Sequence, residues 1–138
     1  MTACFRMVVF AAFVFASMAA HAGRDEPLQA SMNVDFPVIA GKVASADTAR
    51  EAIRTAGARR GWVVVGDAPG QVSLRNNVRG KHLVVVKVIY DGRHMQVDYV
   101  SSENLNYRLT RGGVAHIHPK YHQWVGLLTQ DILARLSR

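Results

Sequence analysis

His82-Leu83-Val84-Val85-Val86-Lys87-Val88-Ile89-Tyr90 (HLVVVKVIY) is the stretch whose reading decides the fold. Residues branched at Cβ are stiff and pack well on a pleated surface, so a nine-residue run dominated by valine and isoleucine reads as a strand. Its alternate positions are apolar on both faces, with Lys87 the only charge. Such a strand belongs in the middle of a sheet, with one face against helices.

Working outward, Asp91-Gly92 is a two-residue hairpin signal. Residues 95–100 then return antiparallel, and residues 105–109 extend that strand after an irregular Ser101-Ser102-Glu103-Asn104. On the other side, residues 71–77 place Val72 and Leu74 on one face, and residues 76–80 form a polar connection. Ala68-Pro69-Gly70-Gln71 has proline and glycine where a type II turn takes them, and residues 62–66 begin the antiparallel run. Before it, Ala46, Ala49, Ala52, Ile53 and Ala56 recur at helical spacing over residues 45–60. Ser45 is placed to cap that helix, Asp47 and Glu51 to lie in its early turns, and Arg59 and Arg60 near its end before Gly61. Pro119 suits the start of a final helix, whose stripe is Tyr121, Trp124, Val125, Leu128, Ile132 and Leu136. Trp62 and Trp124 both read as core. The predicted class is α+β: an antiparallel four- to five-stranded meander with one helix before and one after, packed on one face.

The amino-terminal residues read as an export signal. Arg6 precedes an apolar run over residues 7–20, broken only by Ser17, and Ala20-His21-Ala22 offers small residues for cleavage before Gly23. The run is shorter than the roughly 20 apolar residues that span a bilayer, so residues 1–22 are expected to be cleaved, leaving no transmembrane span. The expected location is the periplasm, with the extracellular medium as the alternative. Residues 23–44 read as a leader whose stretch over residues 33–39, broken by Pro37, is at best an edge strand. Residues 45–138 read as a single α+β domain.

The one cysteine, Cys4, falls in the expected signal, leaving no thiol for disulfides, clusters or nucleophilic catalysis. The full chain has 17 basic residues, 13 of them arginine, against 10 acidic ones. Guanidinium groups suit phosphate and carboxylate. Export argues against nucleic acid as the partner, and points to a protein or to anionic lipid or polysaccharide of the envelope.

Four segments together resemble a family of small uncharacterised bacterial exported proteins, many of them lipoproteins. They are Arg60-Gly61-Trp62, Ile89-Tyr90-Asp91, residues 99–107 (YVSSENLNY) and residues 117–125 (IHPKYHQWV), and the likeness spans most of residues 46–136. The resemblance implies an envelope location and an α+β domain, and transfers no activity. The sequence departs from it in lacking a lipoprotein cysteine, in having His122 where an amide residue is expected, and in having a histidine at position 116.

Three constellations are candidates for function. Arg75, Arg79 and Lys81, with His82 beside them, surround one connection, and Arg108 and Arg111 form a second basic loop. Guanidinium forks and backbone amides there suit a phosphate or sulfate, while the plainer reading is a soluble hairpin tip. Ser101, Ser102, Asn104 and Tyr107, joined by Asn106, form a polar cluster that either lines a cleft or satisfies an irregular turn. His116, His118 and His122 have the residue type and spacing of a zinc or copper site, although Lys120 lies among them and no carboxylate is near in sequence. His118 alone reads as a helix-start residue that bonds locally. No nucleophile elbow, phosphate-cradling loop or zincin motif is present. The expected role is therefore a non-enzymatic envelope protein without a cofactor, the alternative being a metal-binding protein that uses the histidines.

Overall fold

The computed structural model describes residues 25–138. The expected export segment, residues 1–22, lies outside the described residues. In chain order the elements are β1 (Glu26–Pro27), β2 (Ser31–Asp35), α1 (Ala46–Arg59), β3 (Trp62–Ala68), β4 (Gln71–Val78), β5 (His82–Tyr90), β6 (His94–Glu103), β7 (Arg108–Leu109), β8 (Ala115–Ile117) and α2 (Lys120–Leu136). The fold is α+β. A five-stranded antiparallel sheet has the order β2-β6-β5-β4-β3, and a second sheet of three strands has the order β1-β8-β7. No helix among the described residues is long and apolar enough to cross a membrane.

β5 is the middle strand of the large sheet, as its composition requires. Val84, Val86 and Val88 are fully buried on the side that faces the helices, between Leu74 and Val72 of β4 and Val97 of β6. α1 lies on β3, β4 and β5 through Ala49, Ala52, Ile53, Ala56 and Gly57. α2 supplies Tyr121, Val125, Leu128 and Ile132 to the same core, and its Tyr121 meets Tyr99 of β6 edge-on at 5.4 Å. The other face of the sheet is open and carries exposed Val63, Val65, Ile89 and Val100.

Local signals account for the joints. The Ser45 hydroxyl accepts the Thr48 amide at 3.1 Å and caps α1. Gly61 stops the helix with φ of 82°. Arg50 holds Asp67 of β3 with a two-pronged fork at 2.8 and 2.9 Å, and Arg54 adds a third bond at 3.1 Å.

Two expectations are corrected, and one is given its cause. Residues 105–109 do not extend the meander: β6 runs on to Glu103 with a bulge at Val100, and β7 pairs with β8 in the small sheet. The leader contributes two strands, with β1 on β8 and β2 on β6, because each meets an open edge. The expected Asp91-Gly92 hairpin joins β5 to β6, and its turn is set by the Asp91 carboxylate, which accepts the amides of Arg93 at 2.6 Å and His94 at 2.9 Å. A Cβ on Gly92 would lie 3.4 Å from the Ala44 carbonyl oxygen, an ordinary contact, so the carboxylate rather than the glycine defines this turn.

Two outcomes follow for stability. A Cβ on Gly57 would meet Trp62 and Leu74 side-chain atoms at 3.4 to 3.6 Å, which is ordinary contact. Gly57→Ala should therefore raise stability by about 0.5–1 kcal/mol in urea unfolding, because it removes the backbone entropy of a glycine in the last turn of α1. The Arg50 fork holds the Asp67 carboxyl below its ordinary value, backbone amides do the same for Asp91, and the Arg60 fork does so for Asp131. These carboxylates stabilise the fold fully above the unfolded pKa of about 4. Their contribution should be lost as pH falls through the lower folded values, and Asp67→Asn should flatten that acid limb in denaturation measured from about pH 5 to 2.

Candidate functional site

Three segments meet where β4 turns into β5. At the hairpin tip Arg79 and Gly80 have φ of 56° and 67°, and the Lys81 amide donates to the Val78 carbonyl at 3.1 Å. The segment after β6 turns at Asn104, also left-handed with φ of 57°. Its amide group donates to the Lys81 carbonyl at 2.7 Å, and its own carbonyl accepts from His82 Nδ1 at 2.8 Å. A carbonyl only accepts, so Nδ1 of His82 carries a proton and Nε2 is the nitrogen left over. The next residue, Leu105, is buried and takes the His118 amide on its carbonyl at 2.8 Å. His118 then opens α2: its carbonyl accepts the Tyr121 amide at 3.0 Å and its Nδ1 accepts the Lys120 amide at 3.1 Å. The hairpin tip, the turn and the helix start are thus stapled into one frame.

Two adjoining cavities lie in this frame. One, of about 360 Å³, is lined by Val78, Arg79, His82, Leu105, His118, Lys120 and Trp124. The other, of about 330 Å³, shares Val78, Arg79 and Trp124 and adds Arg60, Trp62, Asn76, Asn77 and Leu127. Trp124 forms part of the wall of both, and its ring lies 5.9 Å from that of His82.

No lining residue of either cavity is acidic. Arg79 and Lys120 have no carboxylate at ion-pair distance among the described residues. Arg60 does, through a fork on Asp131 at 2.5 and 3.2 Å that raises the arginine's pKa and lowers the aspartate's. The first turn of α2 also has no acidic residue, so the partial positive charge of the helix start is unanswered by an acid of its own turn. Arg79 occupies a backbone region that favours glycine or asparagine, at a cost of about 1 kcal/mol. A cationic side chain is held at the rim despite that cost.

Asn76 belongs to the adjoining cavity. It is only 9% exposed, and its Nδ2 donates to the Arg60 carbonyl at 3.2 Å. Its Oδ1 receives no hydrogen bond from the described residues and is open to the cavity side rather than buried, the one buried partnerless side-chain atom among the described residues being His116 Nδ1.

Of the five predicted anion-binding residues, Arg79 alone lines the cleft. Arg75 points to the open face of the sheet, level with Val63 and Val85. Lys81 lends its carbonyl to Asn104. Arg108 reaches Asp25 at 3.4 Å on the small sheet, and Arg111 is exposed in the turn that follows.

The polar cluster forms no cleft of its own. Ser102 bonds the Tyr99 hydroxyl at 2.8 Å, Tyr107 stacks on Tyr99 at 5.4 Å, Asn104 bonds backbone, and Ser101 is exposed. The histidines are likewise dispersed. His116 lies on β8 between Pro27 and Arg108, with a buried Nδ1 that has no partner among the described residues. His122 Nε2 accepts the Gln29 amide at 3.0 Å, so Nδ1 carries the proton it shares with Glu26. No three histidine, cysteine, aspartate or glutamate residues among those described are gathered to hold a metal ion. His118 shares the cleft with His82 instead.

Sequence reasoning gave Arg60 to a helix end and Trp124 to the core. Trp124 is in fact half-buried, packed on the core by part of its surface and facing both cavities. Asn76 was missed, although the alternation Val72, Leu74, Asn76 already set an amide on the apolar face of β4.

Asn104 joins the tip to the turn, so Asn104→Ala should lower stability by about 1–2 kcal/mol. The side-chain hydrogen bond to the Lys81 carbonyl is lost and alanine is strained at φ of 57°. Faster hydrogen exchange confined to residues 78–82 and 104–106 would be the accompanying sign. Comparison with protein-family models, with curated proteins and with solved structures gives no match for this chain.

Proposed function

We propose that this is an exported, non-enzymatic protein of the cell envelope that holds an anionic group of an envelope lipid, polysaccharide or protein in the cleft around Arg79. The observation that carries the reading is the company Arg79 keeps: Lys120, His82 and His118 at the start of α2, with no acidic residue in the lining. Guanidinium and ammonium groups attract an anion, the helix start adds its partial charge, and a partly enclosed site is screened less by salt than an open surface. Hydrogen bonds already fix two sides of the cleft, so little ordering is required when an anion enters. The basic balance of the whole chain supports the same partner class by drawing anionic surfaces toward it.

The test is binding of the protein, purified without a tag from the envelope fraction, to vesicles of phosphatidylglycerol, of phosphatidylcholine, and of phosphatidylcholine with added lipopolysaccharide. Binding to the anionic vesicles should weaken steeply as salt is raised from roughly 0.02 to 0.5 M. Arg79→Gln should weaken it about tenfold, the effect of one charge-assisted hydrogen bond, with the melting temperature held or raised. Absence of binding to either anionic preparation at low salt would overturn the proposal.

A further inference from the structure

Two histidines line the cleft beside Arg79, and the bond each makes through Nδ1 fixes what its Nε2 can offer an anion. His118 Nδ1 accepts the Lys120 amide at 3.1 Å, which requires a lone pair there. The ring is therefore neutral with its proton on Nε2, and a second proton could enter only by breaking the bond at the start of α2. His82 is tied the opposite way. Its Nδ1 donates to the Asn104 carbonyl at 2.8 Å, so in the neutral ring the lone pair is on Nε2. A proton added at Nε2 leaves the Asn104 bond in place and strengthens it, because a charged donor bonds a carbonyl more strongly. Neither Nε2 has a partner among the described residues, and neither is buried, so both are open to a ligand.

An anion meets these two atoms differently. It accepts from His118 as that ring stands. Against neutral His82 it faces a lone pair, and only a proton turns Nε2 into a donor. Imidazole is the side chain whose charge changes between about pH 5 and 8, so proton and anion favour each other on His82. The charged groups around this ring all call for the same countercharge. Arg79 and Lys81 flank it on the hairpin, and Lys120 joins His118 and the Trp124 ring from α2. Glu103 of β6 stands opposite Leu83, on the other side of the sheet from its neighbour His82. No carboxylate among the described residues lies at ion-pair distance from His82. A bound anion supplies that charge.

Building on the anion-binding reading, we infer that His82 takes up a proton together with the anion, while His118 is a fixed donor. The cleft then holds a phosphodiester or sulfate group tightly in mildly acidic surroundings and releases it as pH rises. Affinity is highest where His82 is already protonated in the empty cleft. Above that it falls by up to about tenfold per pH unit, and it levels off once the occupied cleft also gives up the proton.

Calorimetric titration of the untagged protein with sulfate and with diethyl phosphate tests this, since neither probe changes charge from about pH 5.5 to 8.5, where imidazole does. Sulfate should bind at least about tenfold more tightly at the acid end of that range than at the other. Near neutrality, heats in buffers of different ionisation enthalpy should show a proton taken up on binding. His82→Gln should remove the pH dependence and leave the weaker, high-pH affinity. His118→Gln should weaken binding at every pH and keep the slope. Because His82 also holds Asn104, the unaltered ring is followed as well. In NMR spectra the His82 ring signals should titrate, and at higher pH with sulfate present, while those of His118 stay those of a neutral ring.

Affinity for sulfate or for phosphatidylglycerol vesicles that is flat across this range, yet lowered by Arg79→Gln, would overturn the proton coupling and leave the anion site standing. A slope that survives His82→Gln, or titration of His118 instead of His82, would overturn it too. Binding of neither probe at any pH, with failure of the anionic vesicles, would overturn the coupling and the anion site together. Diethyl phosphate bound with the expected slope identifies the free group as sufficient. Binding of phosphatidylglycerol vesicles alone, with a slope that His82→Gln removes, identifies the same group as a lipid headgroup. Either result supports the inference.

Discussion

Burial of one face of the large sheet is the constraint on which everything else rests. Residues 25–138 contain no cysteine, so disulfides do not share the burden. Val84, Val86 and Val88 are withdrawn completely from water, and so are Val72, Leu74 and Met95 beside them. Each such side chain is worth about 1.5–3 kcal/mol on burial. The two helices cover this face unequally. α1 meets it with alanines and Gly57, and small side chains let a helix lie close. α2 brings Tyr121, Val125, Leu128 and Ile132. Toward the β4–β5 turn the cover gives out, and half-buried Trp124 is left lining a groove that reaches Trp62 and Asn76 at the edge of the core.

That groove is held open by polar bonds rather than filled. Asn104 links the hairpin tip to the turn after β6, the Leu105 carbonyl links the turn to His118, and His118 starts α2. These bonds use the carbonyl and ring atoms that would otherwise need water, and they set the exposed side chains in fixed relation. The left-handed backbone at Arg79 is consistent with this rigidity, since strain persists where surrounding structure over-determines a residue. Charge at this end of the molecule is unbalanced because Asp131, which faces it from α2, is already engaged by Arg60.

What was legible in the sequence was what depends on neighbours along the chain. Valine and isoleucine at successive positions of β5 settled its place at the centre. Alternation set the faces of β4, and Ser45, Gly61 and Pro119 marked helix ends. The Arg79 hairpin was identified as basic, and His118 as a local helix-start residue. What escaped depends on contacts between distant segments. β1, β7 and β8 are two or three residues long and exist only because they complete one another's edges. Lys120 and Trp124 join Arg79 only after the sheet has brought α2 over the hairpin, and no spacing rule connects them. The histidines were grouped by closeness in sequence, whereas β8 and α2 carry them to separate partners. Asn76 is the exception, a polar residue on an inward face that pattern alone displays.

The bulge at Val65 has a consequence for how such molecules behave in a crowd. β3 is an edge strand rich in valine, with Val63 and Val65 more than half exposed and no proline in it. Strands of this composition are templates for stacking one sheet onto another. In β3 the pairing register shifts between Val64 and Gly66, so its outer row of amides and carbonyls is not evenly spaced. A visiting strand can match it on one side of Val65 and loses step on the other. One irregular residue thus guards the edge against runaway self-assembly where no charge stands on its outer valines.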